Sequence, residues 1–276
     1  MFGIPTHIVL PTLLGSLLGG LICSLMGVCV VRMNLSSLGF AMSHAAFAGA
    51  ALGLAVSVLD PLWMAILFAV ATAAMLGPLS EVSRLEPNTI VGATFPVMMA
   101  LGLIFINLAP SASVGSGALS LLWGSVLGIT MADVLKLGVL AFVMVVLFLG
   151  FGKELLAILL DRKLAAASGI HVRVYYYLVL FLTAVTVALA LRITGGLLIY
   201  ALMILPASAA YQLLYDIKKV FFLAPLLGVL SALGGFLLSL AADLPIGASI
   251  VLTAAAIFFA CVGLSPKRRR RQQRAD

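Results

Sequence analysis

The sequence predicts an all-α, polytopic transmembrane bundle of eight or nine crossings. Three observations predict it. Of 276 residues, 64% are hydrophobic and only 9% are charged, whereas a soluble domain carries about 25% charged residues. The apolar residues form long unbroken runs, unlike the short alternating strands of a membrane barrel. Charged and proline-bearing spots divide these runs into segments near the roughly 20 residues that span a bilayer as a helix. One membrane domain is therefore expected over residues 1–266, followed by a basic tail over 267–276.

The crossings follow in order. Leu10 to Val31 is the first, ended by Arg32 and Asn34. No Lys or Arg precedes it, so it is expected to be a retained helix rather than a cleaved signal. Leu38 to Val58 is the second, ended by Asp60-Pro61, and Leu62 to Leu79 is the third. The polar loop Ser80 to Thr89 leads to a fourth crossing, Ile90 to Leu108. Ala109 to Asp133 is a Ser/Gly-rich stretch followed by an apolar piece, LLWGSVLGI, too short to span. Val134 to Phe151 is the fifth crossing, and Gly152 to Arg173 is the longest polar interruption. Val174 to Leu191, Leu197 to Tyr215, Phe221 to Ala241 and Gly247 to Leu264 complete the nine.

Lys and Arg placement orients the chain. With the C-terminus in the cytoplasm, the inner loops hold Arg32, Arg84, Lys153, Arg162, Lys163, Arg173, Lys218, Lys219 and the six basic residues of the tail, fourteen of the sixteen in the chain. Parity then puts the N-terminus outside. The tail is expected to mark a cytoplasmic helix end and to attract anionic lipid, with no nucleic-acid role. Cys23, Cys29 and Cys261 lie in apolar segments and form no disulfide framework.

The second segment carries the residue of most interest. Ala41, Ala45, Gly49 and Gly53 recur every four residues, a small-residue face that another helix can approach closely in lipid. His44 lies in the same segment, and an imidazole inside a membrane helix usually faces a bundle interior or a wet pathway. Three readings are open. His44 ligates a metal with help from other helices or a second copy; it hydrogen-bonds another cargo, such as a metal chelate; or it is a core histidine bonded to a serine or a backbone carbonyl.

Other polar and soft residues read as structural. Cys23, Met26, Cys29 and Met33 would suit a soft ion, but such side chains are ordinary apolar filler, as are Met98, Met99 and Met203. Asp60, Asp133 and Asp243 sit at helix ends where carboxylates are solvated. Asn107 and Arg192 are placed to snorkel. Pro206 removes a backbone donor inside the seventh crossing and should kink it, with Gly195-Gly196 as a hinge at its outer end. His171 falls in the cytoplasmic interruption as a docking or solvated residue.

That interruption, about 153–173, contains DRKLAAASGIHVR. Leu164 to Ala167 favour helix and Gly169 is a natural stop. The result is either a surface turn or a coupling helix for another protein. A phosphate loop of its own is missing: at Gly152-Lys153 the pattern requires an upstream glycine where Leu147 stands and Ser or Thr where Glu154 stands.

Several motifs together resemble the ABC-3 family, the permeases of zinc, manganese and iron uptake systems. Gly39-Phe40-Ala41-Met42-Ser43-His44 with Gly49 looks like its second-helix motif, usually Gly-Asp-Ala-x-Ser-His. Leu122-Trp123-Gly124-Ser125, the run from Gly195-Gly196 to Pro206 and Ala210, and Asp243-Leu244-Pro245-Ile246-Gly247-Ala248 resemble later ones. The small residues before Gly169 and Ile170 are similar to the coupling region of importer permeases. The resemblance implies an importer permease in the bacterial inner (cytoplasmic) membrane that pairs with itself as a homodimer. It also implies a cytoplasmic ATP-binding subunit and an extracytoplasmic solute-binding protein. ATP and magnesium would sit on the partner, with no cofactor on this chain. A pathway lined by Phe40, Met42, Ser43 and His44 is implied, with His44 as metal ligand and Ala165, Ala166, Ala167, Gly169 and Ile170 as the docking segment. Phe40 stands in the aspartate position, so it cannot ligate and removes a negative charge one helical turn from His44.

Two other classes compete. A secondary transporter would carry several carboxylates deep in the membrane, whereas the nine acidic residues sit mostly in loops or at helix ends. A non-transporting scaffold has no use for a membrane histidine beside a docking-type loop. Within the transporter class, Phe40 also leaves a non-metal cargo open.

Overall fold

A computed structural model describes residues 6–56, 59–83, 85–109 and 129–266. The piece at 121–128, Arg84 and the tail 267–276 lie outside the described residues. Ten helices are present among those described: α1 Thr6–Arg32, α2 Leu38–Ala55, α3 Pro61–Ser83, α4 Pro87–Leu108, α5 Met131–Leu160, α6 Arg162–Ala167, α7 Val172–Thr194, α8 Gly196–Leu213, α9 Ile217–Ala242 and α10 Ile246–Gly263. Eight are long and apolar enough to cross a bilayer, and α8 contributes the shorter apolar segment Leu198–Leu213. Each of the nine expected segments overlaps one of these nine helices, eight of them of crossing length, and the chain is a multi-pass membrane protein.

Tertiary packing divides the bundle around two buried helices. α2 packs against α3, α4, α7 and α8, while α1 packs against α5, α7, α8 and α9. Glycines set how closely these pairs approach. A Cβ on Gly20 of α1 would stand 2.6 Å from the Gly228 carbonyl oxygen of α9. One on Gly27 would collide with the Met203 carbonyl of α8. The small-residue face of α2 does the same: Gly49 lies against the Met64 backbone and Gly53 against Pro61, both in α3. Lipid supplies no hydrophobic drive between helices, so close backbone approach and dispersion hold such pairs together.

Two expectations need correction. Residues 152–160 do not belong to a polar interruption; α5 runs unbroken for 30 residues through Gly152, Lys153 and Glu154. The segment after Lys153 is Glu-Leu-Leu-Ala-Ile-Leu-Leu, a run of good helix formers, and Gly152 is a tolerable cost of about 1 kcal/mol. At 1.5 Å per residue the helix is about 45 Å long, longer than the roughly 30 Å hydrocarbon layer, and only 161–171 separate α5 from α7 apart from the short α6. Likewise α3 and α4 extend into the expected loop, leaving 84–86 between them. The second correction concerns Asp133, which is buried rather than solvated. It closes a capping box with Thr130 at the start of α5 and pairs with Lys136 at 3.3 Å.

Candidate functional site

His44 occupies the second turn of a helix whose every residue from Ala41 to Ala51 is buried. Its own side chain is 8% exposed. Nδ1 lies 2.7 Å from the Phe40 carbonyl oxygen, which can only accept, so Nδ1 carries the hydrogen and donates it. In the neutral ring Nε2 is then the atom with a free lone pair. Ser43 donates its hydroxyl to the same carbonyl at 2.8 Å, one turn back along the helix. Among the described residues Nε2 has no hydrogen-bond partner, and it is not fully buried.

The ring meets aromatics from two helices, and a ring from a third packs on one of them. Phe40, on α2, meets it edge-on with centroids 4.6 Å apart, and Phe95, on α4, does so at 4.4 Å. Phe40 also touches Phe95 at 4.5 Å and Tyr200, on α8, at 5.4 Å. Sequence reasoning missed Phe95 and Tyr200. Helical phase places Phe40 beside His44 at i and i+4, but nothing local says which face of α4 or α8 turns toward α2.

The glycine pair also reaches this cluster. Gly195 ends α7 and starts α8 with φ +75°, a backbone that L side chains adopt at a cost. Gly196 then sits against Ser43, close enough that an added Cβ would touch the serine Cβ at 3.4 Å. Pro206 is buried ten residues further along α8. Met42 lies elsewhere, fully buried in the apolar core with Cys23, Met26 and Cys29. Those thiols pack among apolar side chains, as ordinary filler would. No group of three His, Cys, Asp or Glu residues is poised for a metal among the described residues. Asp60 caps the amide of Leu62 and Asp243 takes a left-handed backbone; both are exposed.

The second expected feature is α6. Asp161 caps it by accepting from the amides of Lys163 at 2.8 Å and Leu164 at 3.1 Å. These backbone bonds, that from Leu164 foremost, hold the Asp161 carboxyl below its ordinary range. At the other end Gly169 takes φ +84°, and Ile170 donates back to the Ala165 carbonyl at 3.1 Å, a glycine-terminated stop. Of the expected docking residues, Ala165 is buried beneath the helix and Ile170 is half-buried. Ala166, Ala167 and Gly169 are exposed, as are Leu164 and His171. The Arg162 guanidinium rests over the Tyr176 ring at 5.3 Å, pinning α6 to the start of α7.

Residues 6–265 match the sequence profile of the ABC 3 transport family. The chain is 33% identical to the manganese transport system membrane protein MntC of Listeria innocua, over 92% of this chain and 90% of that one. It is 28% identical to the high-affinity zinc uptake system membrane protein ZnuB of Haemophilus influenzae, over 91% and 95%. The solved structure of PsaBC from Streptococcus pneumoniae in complex with a Fab superposes with a TM-score of 0.86 at 28% identity, covering 97% of this chain and 95% of that one. A profile that spans nearly every residue, a relative one-third identical over nine-tenths of the length, and a shared arrangement of helices place the conclusion beyond fold alone: the chain belongs to the ABC-3 transport family.

Proposed function

We propose that this chain is the permease subunit of an ATP-driven importer for a transition metal of the manganese, zinc or iron class, or for a complex of such a metal. The observation that supports this most directly is the match to PsaBC over nearly the whole chain, with a capped helix, α6, presenting Leu164, Ala166 and Ala167 at one end. In this proposal a cytoplasmic ATP-binding subunit docks on α6, an extracytoplasmic solute-binding protein delivers cargo, and two copies of the chain form the pathway in a bacterial inner membrane. ATP and magnesium are held by the partner. ATP-driven movement of α6 shifts the helices bordering His44 between two access states. The movement requires that nucleotide bind one state better than the other. Gly195 and Gly196, the latter against Ser43, supply a hinge, and His44 Nε2 is the group offered to cargo.

The aromatic frame favours the metal complex over the bare ion. A dehydrated divalent cation requires several donors and compensating charge, whereas His44 is surrounded by Phe40 and Phe95. Metal content of cells with and without the gene, measured for manganese, iron, cobalt, nickel, copper and zinc, tests the proposal. Co-purification of an ATPase tests the partner. Unchanged content of all six metals, with no ATPase retained, would refute it.

A further inference from the structure

Arg32 ends α1, and its Nε donates to the carbonyl of Leu159 at 2.7 Å, across 127 positions of sequence. Leu159 lies in the last turn of α5, where carbonyls lack amide partners within the helix and the helix dipole favours a cation. Two residues later Asp161 caps α6. Arg32 therefore grips the backbone from which α6 hangs.

On its other side Arg32 leads directly into the corner before α2. Asn34 takes φ +57°, Leu35 donates to the Val30 carbonyl at 2.9 Å and Asn34 to that of Val31 at 3.2 Å. This double-bonded stop, sealed by buried Leu35, fixes the angle between α1 and α2. Ser37, next along, donates to Asn88 Oδ1 at 2.8 Å, tying the start of α2 to the first turn of α4. α2 carries Phe40 and His44, and α4 carries Phe95. A short, continuous set of bonds thus joins α6 to both helices that frame the imidazole.

We infer that Arg32 is a positioning residue for transport: it passes displacement of α6 to the α2–α4 pair and so couples nucleotide turnover to opening at His44. The inference rests on the proposal that α6 docks an ATPase. An ordinary helix-end cap would stabilise α5 and do nothing more, so the test reads coupling rather than stability.

The complete transporter, with its ATPase and binding protein, is reconstituted in proteoliposomes, and cargo moved per ATP hydrolysed is measured. For Arg32→Met and Arg32→Gln, the expected result is assembly at wild-type stoichiometry, hydrolysis within about twofold of wild type, and uptake per ATP reduced roughly tenfold. Arg32→Lys, which keeps a charged donor, recovers most of the loss. Ser37→Ala, at the far end of the connection, lowers the same ratio by a smaller factor. An unchanged ratio in Arg32→Met overturns the inference, and so does a fall in uptake and hydrolysis in step with lost assembly. Failure of the docking reading shows separately, as an ATPase that stays bound after residues 165–169 are deleted.

Discussion

Replacing His44 by phenylalanine separates a histidine that meets cargo from one that merely packs. The edge-on contacts at 4.4 and 4.6 Å with Phe95 and Phe40 depend on a ring at this position, and phenylalanine supplies one. The Phe40 carbonyl loses the Nδ1 donor but keeps the Ser43 hydroxyl at 2.8 Å, so no acceptor is orphaned. The swap should therefore shift stability by less than about 1.5 kcal/mol. Truncation to alanine removes both ring contacts, at about 0.5–1.5 kcal/mol each, and opens a cavity besides. What phenylalanine cannot supply is Nε2. If that atom bonds a charged cargo, its loss costs about 1.5–3 kcal/mol, or roughly 10- to 150-fold in uptake at sub-saturating cargo. The assay is initial-rate uptake of labelled manganese, zinc and iron into proteoliposomes, paired with thermal unfolding of the same preparation. Uptake within twofold of wild type, with an unchanged melting temperature, would refute the pathway role and leave His44 a core residue held by a backbone carbonyl.

Three further outcomes follow from local geometry. Phe40→Asp removes the one ring packed on His44, Phe95 and Tyr200 and should lower stability by about 2–4 kcal/mol; manganese or zinc should raise its melting temperature but not that of wild type, and a metal-independent melting curve would contradict this. Gly228→Ala drives a Cβ into the Gly20 carbonyl and Ser24 hydroxyl of α1, so unfolding in detergent should show a loss of about 1–3 kcal/mol, while Gly92→Ala, with nothing within 4 Å, should show none. Asp161 has a lowered carboxyl pKa because the Leu164 and Lys163 amides bond its charged form. Its stabilisation of α6 is thus complete above the ordinary carboxylate range and is lost as pH falls through the lowered value. Hydrogen exchange at 162–168 should accelerate over that acid window in wild type, and Asp161→Asn, which still caps, should abolish the pH dependence.

Much of the fold was legible because hydropathy reports each residue's own preference for lipid. The helix boundaries were less so. Gly152, Lys153 and Glu154 look like a loop when counted by charge, yet α5 carries them as helix because the residues that follow are strong helix formers. The solvated role expected for Asp133 failed because its carboxylate is buried within a local capping box with Thr130 and an ion pair with Lys136. The candidate site was half legible. Ser43, His44 and Phe40 share a helix, so spacing alone groups them. Phe95 and Tyr200 arrive from 51 and 156 positions beyond His44, and no periodicity in their own helices marks the face turned toward α2.

The chain by itself determined that it crosses the membrane repeatedly, which segments do so, which end of each carries positive charge, and that α2 has a face narrow enough for close packing. These are properties of single residues and of helical phase, and each can be summed along a window. Only the tertiary structure decided that Phe95 of α4 meets the imidazole and Tyr200 of α8 packs on Phe40, that Gly196 abuts Ser43, and that Arg32 holds the end of α5. In lipid every apolar face is equally content against acyl chains or another helix, so hydropathy cannot choose neighbours. Shape and hydrogen bonding choose them, and both depend on atoms that the chain brings together only when it is folded.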